Sequence, residues 1–133
     1  MILEVYDLES LSNLFTYTGY RSKTNEWFQY VICKWRNDGK ELYEHLTSES
    51  FAQCGFNNLA YDFPLLYHFL RHWKGEYEYL DGQELAQALY AKSQYLIEEK
   101  FTEVKNPCIP QIDLYKIWHY NNKARATSWT NMF

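Results

Sequence analysis

The stretch Ile2-Leu3-Glu4-Val5-Tyr6-Asp7-Leu8-Glu9 decides how the chain is read. Ile2 to Tyr6 is a short apolar run with the character of a buried strand, and two carboxylates stand at its end. Leu14 to Tyr20 and Trp27 to Trp35 carry the same aromatic and β-branched residues. Polar clusters separate them: Ser10-Leu11-Ser12-Asn13, then Arg21-Ser22-Lys23-Thr24-Asn25, with the turn signal Asn37-Asp38-Gly39 after the third run. The opening is therefore expected to be a three-stranded β-meander joined by two hairpins.

The remainder alternates between helix and strand. Glu41 to Ser50 is expected to form a short helix, Phe51 to Asn57 a compact strand, and Tyr61 to Trp73 a mostly buried helix with Pro64 in its first turn. Asp81 with Glu84 three residues on spells a capping box, and Leu85, Ala88, Leu89 and Leu96 then fall on one face of a helix reaching to about Lys100. Asn106 to Pro110 is a loop, and Gln111 to Tyr120 alternates as a strand would. Thr127 or Ser128 could cap a helix that the chain, ending at Phe133, leaves barely begun.

A length of 133 residues with 47% apolar side chains suits one α/β domain with a core of its own, spanning 1–133. Cys33, Cys54 and Cys108 form no CxxC pair, which fits a reducing cytoplasm better than a disulfide framework. No run approaches bilayer-spanning length, and the N-terminus lacks a basic leader, so neither secretion nor membrane insertion is expected. A net charge of −4 argues against a protein that coats duplex phosphates through a broad basic face.

Two constellations could carry chemistry. Asp7 and Glu9 are i, i+2 on an extended chain, so both side chains leave on one side and can address one divalent ion. Taken alone, the pair reads more readily as two solvated charges at a strand end. The second is Gly55-Phe56-Asn57-Asn58-Leu59-Ala60-Tyr61-Asp62-Phe63-Pro64-Leu65-Leu66, where Asp62 sits at a strand-to-helix junction amid apolar residues and calls for compensation by a metal, a donor or a capping role. His68 and His72 have i, i+4 spacing without a third ligand, and Tyr77 to Asp81 spells Y-x-x-x-D with Asp81 already explained as a cap.

Together these motifs resemble the DEDD superfamily of 3′-to-5′ exonucleases, as found in the proofreading domains of family B and phage DNA polymerases. Asp7 and Glu9 match that family's D-x-E; Asn57, Tyr61 and Asp62, flanked by Gly55, Phe56, Pro64 and Leu66, match its N-x-x-x-[FY]-D. Ile112-Asp113-Leu114-Tyr115-Lys116-Ile117 is similar to the family's next strand, and Lys123-Ala124-Arg125-Ala126-Thr127-Ser128 to the run-in of its following helix. The resemblance implies an RNase H-like mixed sheet with flanking helices and a final helix missing. It implies hydrolysis at DNA 3′ ends, preferably single-stranded, by two Mg²⁺ or Mn²⁺ ions about 4 Å apart. Asp7, Glu9 and Asp62 would be the catalytic metal ligands, with Asn57 and Tyr61 binding the terminal nucleotide. The resemblance also implies a cytoplasmic location, in the host cell if the protein is phage-encoded. The family's third motif, Y-x-x-x-D or H-x-x-x-x-D, has no counterpart after Ser128. That departure implies either a partner, a polymerase segment or self-association that completes the site, or a catalytically incomplete remnant that binds DNA or protein.

Overall fold

The computed structural model describes residues 1–99 and 104–121, the last four by their backbone alone. Its strands are β1 (Leu3–Leu11), β2 (Leu14–Arg21), β3 (Glu26–Cys33), β4 (Arg36–Asn37), β5 (Ala52–Gly55) and β6 (Gln111–Asp113). The helices are α1 (Gly39–Thr47), α2 (Asp62–His72), α3 (Gly82–Glu98) and α4 (Leu114–Asn121), with a single 3₁₀ turn at Tyr77–Tyr79. The six strands form one mixed sheet in the order β4-β3-β2-β1-β5-β6, antiparallel through the meander and parallel at β1–β5 and β5–β6.

The meander stands where the sequence places it, but β1 is longer than the apolar run that signals it. Its pairing with β2 continues through Leu8↔Tyr17 and Glu9↔Thr16 to Leu11↔Leu14, so Asp7 and Glu9 lie within the strand rather than at its end. Cross-strand hydrogen bonding holds the polar residues extended where hydropathy alone ends the strand. Pairing with β5, by contrast, covers only Leu3↔Ala52 to Val5↔Cys54. Beyond Val5 the β5-facing edge of β1 has no strand beside it among the described residues.

The expected strand from Gln111 to Tyr120 is replaced by a three-residue strand followed by α4. Asp113 makes the switch: its Oδ1 accepts the N–H of Tyr115 at 3.0 Å, in the manner of an N-cap residue. Thr127 and Ser128 lie outside the described residues.

One sheet face holds the core. Phe15, Tyr17 and Ile32 on the strands meet Leu42 and Leu46 of α1, Phe63, Leu66 and Phe69 of α2, and Leu85, Ala86, Leu89 and Leu96 of α3 in a single cluster. Each such side chain contributes roughly 1.5–3 kcal/mol by leaving water. The capping box forms as read, with Glu84 N–H donating to Asp81 at 2.8 Å and Asp81 N–H to Glu84 at 3.1 Å. Pro64 occupies the first turn of α2.

The run expected to be a buried strand is buried on one face only. Glu4 and Tyr6 point into the core, whereas Leu3 and Val5 are 43% and 42% exposed on the opposite face, beside Trp27 at 70%. Among the described residues that second face is largely open. Glu4, with no exposed surface, accepts from the Tyr17 hydroxyl, from Arg21 Nε at 2.8 Å, and faces His45 Nε2 at 2.9 Å. Burial alone would raise its pKa, but the His45, Tyr17 and Arg21 partners outweigh that and pull it below the usual carboxylate value. Gly19 makes room for this acid, since a Cβ there would lie 2.5 Å from Glu4 Oε2.

Candidate functional site

The sequence candidates stand on separate elements: β1 supplies Asp7 and Glu9, the first turn of α2 supplies Asp62, and the end of β6 supplies Asp113. Asp62 feels the charge of Asp7 and of Asp113, whereas Glu9 acts on Asp7. The open β1 edge beyond Val5 is what admits Asp62: the N–H of Leu8 faces the carboxylates of both Asp62 and Asp7. Asp62 is the first residue of α2, with Tyr61 before it in the cap position, so capping does not account for it.

Burial and neighbouring charge act on these groups together. The pKa of Asp62 is pushed up to about 7, first by burial and then by the Asp7 charge, with a further push from Asp113; the Leu8 N–H opposes the rise. Asp7 keeps contact with water, yet the surrounding sheet desolvates it enough, together with the neighbouring Glu9 charge, to raise its pKa as well. Tyr6, buried beneath the group, is raised by burial and then by Asp62, with smaller contributions from Asp113 and Asp7. One buried tyrosine thus senses three aspartates far apart in sequence.

Asp113 was read only as part of a strand, and its side chain proves central. It is 4% exposed and accepts the backbone N–H of Asn57 at 2.8 Å and of Leu59 at 3.2 Å, besides that of Tyr115. The readable signal was an aspartate one residue ahead of a helix-forming run, the usual N-cap position. Asn57 adopts φ 58°, in the left-handed region where asparagine is among the better-tolerated side chains. Asn58, fully buried, lies with its amide 2.7 Å from that of Gln111. Gln111 in turn meets the Tyr6 hydroxyl at 2.8 Å and Gln53 at 2.7 Å, and Gln53 reaches the Tyr17 hydroxyl at 2.8 Å. A buried polar chain therefore runs from Glu4 to the loop before α2.

Two grooves flank the carboxylates. One of about 150 Å³ is lined by Leu8, Ser10, Tyr61, Asp62, Leu65 and Leu96 among others. The other, about 370 Å³, lies on the open sheet face between Val5, Asp7, Thr18, Tyr20 and Trp27, the last two rings 4.4 Å apart. Tyr61 is 51% exposed at the mouth of the first. A larger cavity of about 740 Å³ opens at the other end of β1, around Met1, Phe51 and Cys108, away from the aspartates.

The donors are all oxygens, the chemistry preferred by Mg²⁺ and Mn²⁺, and Asp7 and Asp62 repel each other as a cation-binding pair would. Among the described residues, however, no three His, Cys, Asp or Glu side chains group closely enough to hold a metal ion. The other sequence candidates have local partners: His68 Nε2 meets the Tyr77 hydroxyl at 2.6 Å, His72 Nδ1 meets Glu76 at 2.9 Å, and Asp81 caps α3. Among the described residues no helix is long and apolar enough to cross a membrane. Comparison with protein-family models, with curated proteins and with solved structures finds no match.

Proposed function

We propose that this chain is an RNase H-like nuclease domain that removes nucleotides from DNA 3′ ends, preferably single-stranded, with Mg²⁺ or Mn²⁺. The observation that carries the reading is the junction of Asp7 with Asp62, two carboxylates from separate elements whose mutual repulsion and burial raise the Asp62 pKa to about 7. A fold keeps such a pair at a cost to its stability, and a bound cation removes that cost. Asp7 and Asp62 would hold the ion, with Glu9 beside Asp7. When bound, the metal pair would activate water and stabilise the leaving 3′ oxygen.

The chain's own residues contribute the rest. Leu8 N–H orients the carboxylates, Tyr6 closes the floor of the site, and Tyr61 at the groove mouth offers a face for the terminal base. A further ligand and a water-orienting residue would come from a segment bearing the third motif, in this polypeptide or a partner.

The exposed Trp27 ring beside Tyr20 on the open sheet face suits a second reading, an incomplete nuclease module that binds DNA or a protein without cutting. One assay separates the two: 3′-labelled single-stranded DNA is incubated with wild type and Asp7→Asn, in Mn²⁺ with and without chelator. Metal-dependent shortening lost in the variant supports the nuclease. DNA retention without shortening supports the module, and neither outcome leaves both readings overturned.

A further inference from the structure

A loop of five residues, 57–61, is all that separates Asp62 from β5 and Phe56, so whatever holds that loop sets where Asp62 stands.

We infer that Asp113 is a positioning residue: its buried carboxylate clamps the 57–61 loop and so sets Asp62 against Asp7, without itself serving as a ligand. Three of the roughly four acceptor sites of its buried carboxylate are taken by backbone N–H groups. Oδ1 takes the N–H groups of Asn57 and Tyr115 at 2.8 and 3.0 Å, and Oδ2 takes that of Leu59 at 3.2 Å. Here one carboxylate gathers three backbone donors from two segments, the loop before α2 and the start of α4. The clamp also holds Asn57 at its positive φ, which reverses the chain toward α2.

From that anchor the loop is stitched to the helix it precedes. Tyr61 N–H donates to the Asn57 carbonyl at 3.2 Å and Phe63 N–H to that of Asn58 at 2.7 Å. Asn58 is pinned by Gln111 on the same strand as Asp113, and it packs so closely that a Cβ on Gly55 would meet it at 3.0 Å. The last residue of β6 therefore fixes the connection at Asn57 and Leu59, and the Tyr61 and Phe63 bonds carry that anchor on to Asp62. The same carboxylate oxygen caps α4, so the seating of α4 and the placement of Asp62 share one acceptor.

This inference stands on the clamp's geometry, and only its consequence for metal binding rests on the nuclease reading. The test is amide hydrogen exchange by NMR on the full chain, comparing wild type, Asp113→Asn, Asp113→Ala and Asp62→Asn. The Leu8 amide lies beside the Asp62 and Asp7 carboxylates, so its exchange responds when Asp62 moves, whether or not metal binds. Asp113→Ala should lower protection of Asn57 and Leu59 by about tenfold or more and lower Leu8 with them. Asp113→Asn, which keeps an oxygen for Asn57 and Tyr115, should fall between; it carries the test if the alanine variant does not fold. Asp62→Asn should alter Leu8 alone. Loss at Asn57 and Leu59 with Leu8 unchanged overturns the inference, as does unaltered protection throughout. Mn²⁺ titration of the same samples keeps the two ideas apart. If wild type binds no Mn²⁺ while Leu8 responds, the clamp stands and the metal site falls; a wild-type Mn²⁺ midpoint in Asp113→Ala has the reverse meaning.

Discussion

Replacing Asp62 with asparagine should make the metal-free protein more stable at alkaline pH and leave it unchanged at acid pH. The sign follows from linkage. Asp62 has a folded pKa of about 7 against 3.8 ordinarily, so the native state binds more protons than the unfolded state between those values, and stability declines as pH rises through them. One pKa unit corresponds to about 1.36 kcal/mol, so full ionisation removes up to about 4 kcal/mol, an upper bound that local relaxation reduces. Asparagine keeps an oxygen for the Leu8 N–H and carries no charge for Asp7 to repel. Urea unfolding in chelator at pH 4 and pH 8 measures the difference. The variant should gain stability over wild type at pH 8, by an amount near zero at pH 4. Equal or lower stability of the variant at pH 8, or a pH-independent difference, would refute the argument that Asp62 is a buried, repelled carboxylate.

Other expectations can be checked in the same way. Millimolar Mn²⁺ should raise the melting temperature of wild type by mass action, and Asp7→Asn should lose most of the rise in a calorimetric scan. Glu4→Gln should destabilise by about 3–5 kcal/mol in denaturant titration at pH 7, because it breaks a buried pair with Arg21 and removes the charge facing His45. Since the Glu4 pKa is depressed, its stabilisation is present above the ordinary carboxylate range and is lost as pH falls through the folded value, so the variant's deficit should narrow in acid. Gly82→Ala should cost about 1–3 kcal/mol, because a Cβ there would lie 2.0 Å from the Cys33 carbonyl oxygen. Sedimentation of wild type should reveal concentration-dependent association through the open face carrying Leu3, Val5 and Trp27, and Trp27→Lys should weaken it while changing stability by less than about 0.5 kcal/mol.

The meander, the capped helix α3 and the early Pro64 of α2 were legible because each rests on local chemistry: polar turns, a capping box, a restricted φ. The strand expected over Gln111 to Tyr120 failed because a short alternating run does not distinguish strand from helix, and the deciding contact, Asp113 to the Tyr115 N–H, depends on where an acid turns its side chain. β1 was legible as a strand but not in its facing. Which side of Glu4-Val5-Tyr6 enters the core is set by Arg21, His45 and Tyr17, residues 13 to 41 positions away. Asp7, Glu9 and Asp62 could be nominated from motif spacing, while the loop clamp at Asp113 could not, since its acceptors and donors are 54 and 56 residues apart.

The strand order has a consequence for how the protein assembles. Its first half, β4-β3-β2-β1, is built from neighbours in the chain, so it can form quickly from local encounters; β5 and β6 join through long loops whose closure is slow. Asp7 belongs to the early half, and Asp62 and Asp113 to the late one. The repelling carboxylates therefore meet only as the second half docks, after the meander's apolar contacts have been made. Their conflict falls on the final approach rather than on nucleation, so removing it should slow unfolding far more than it speeds folding.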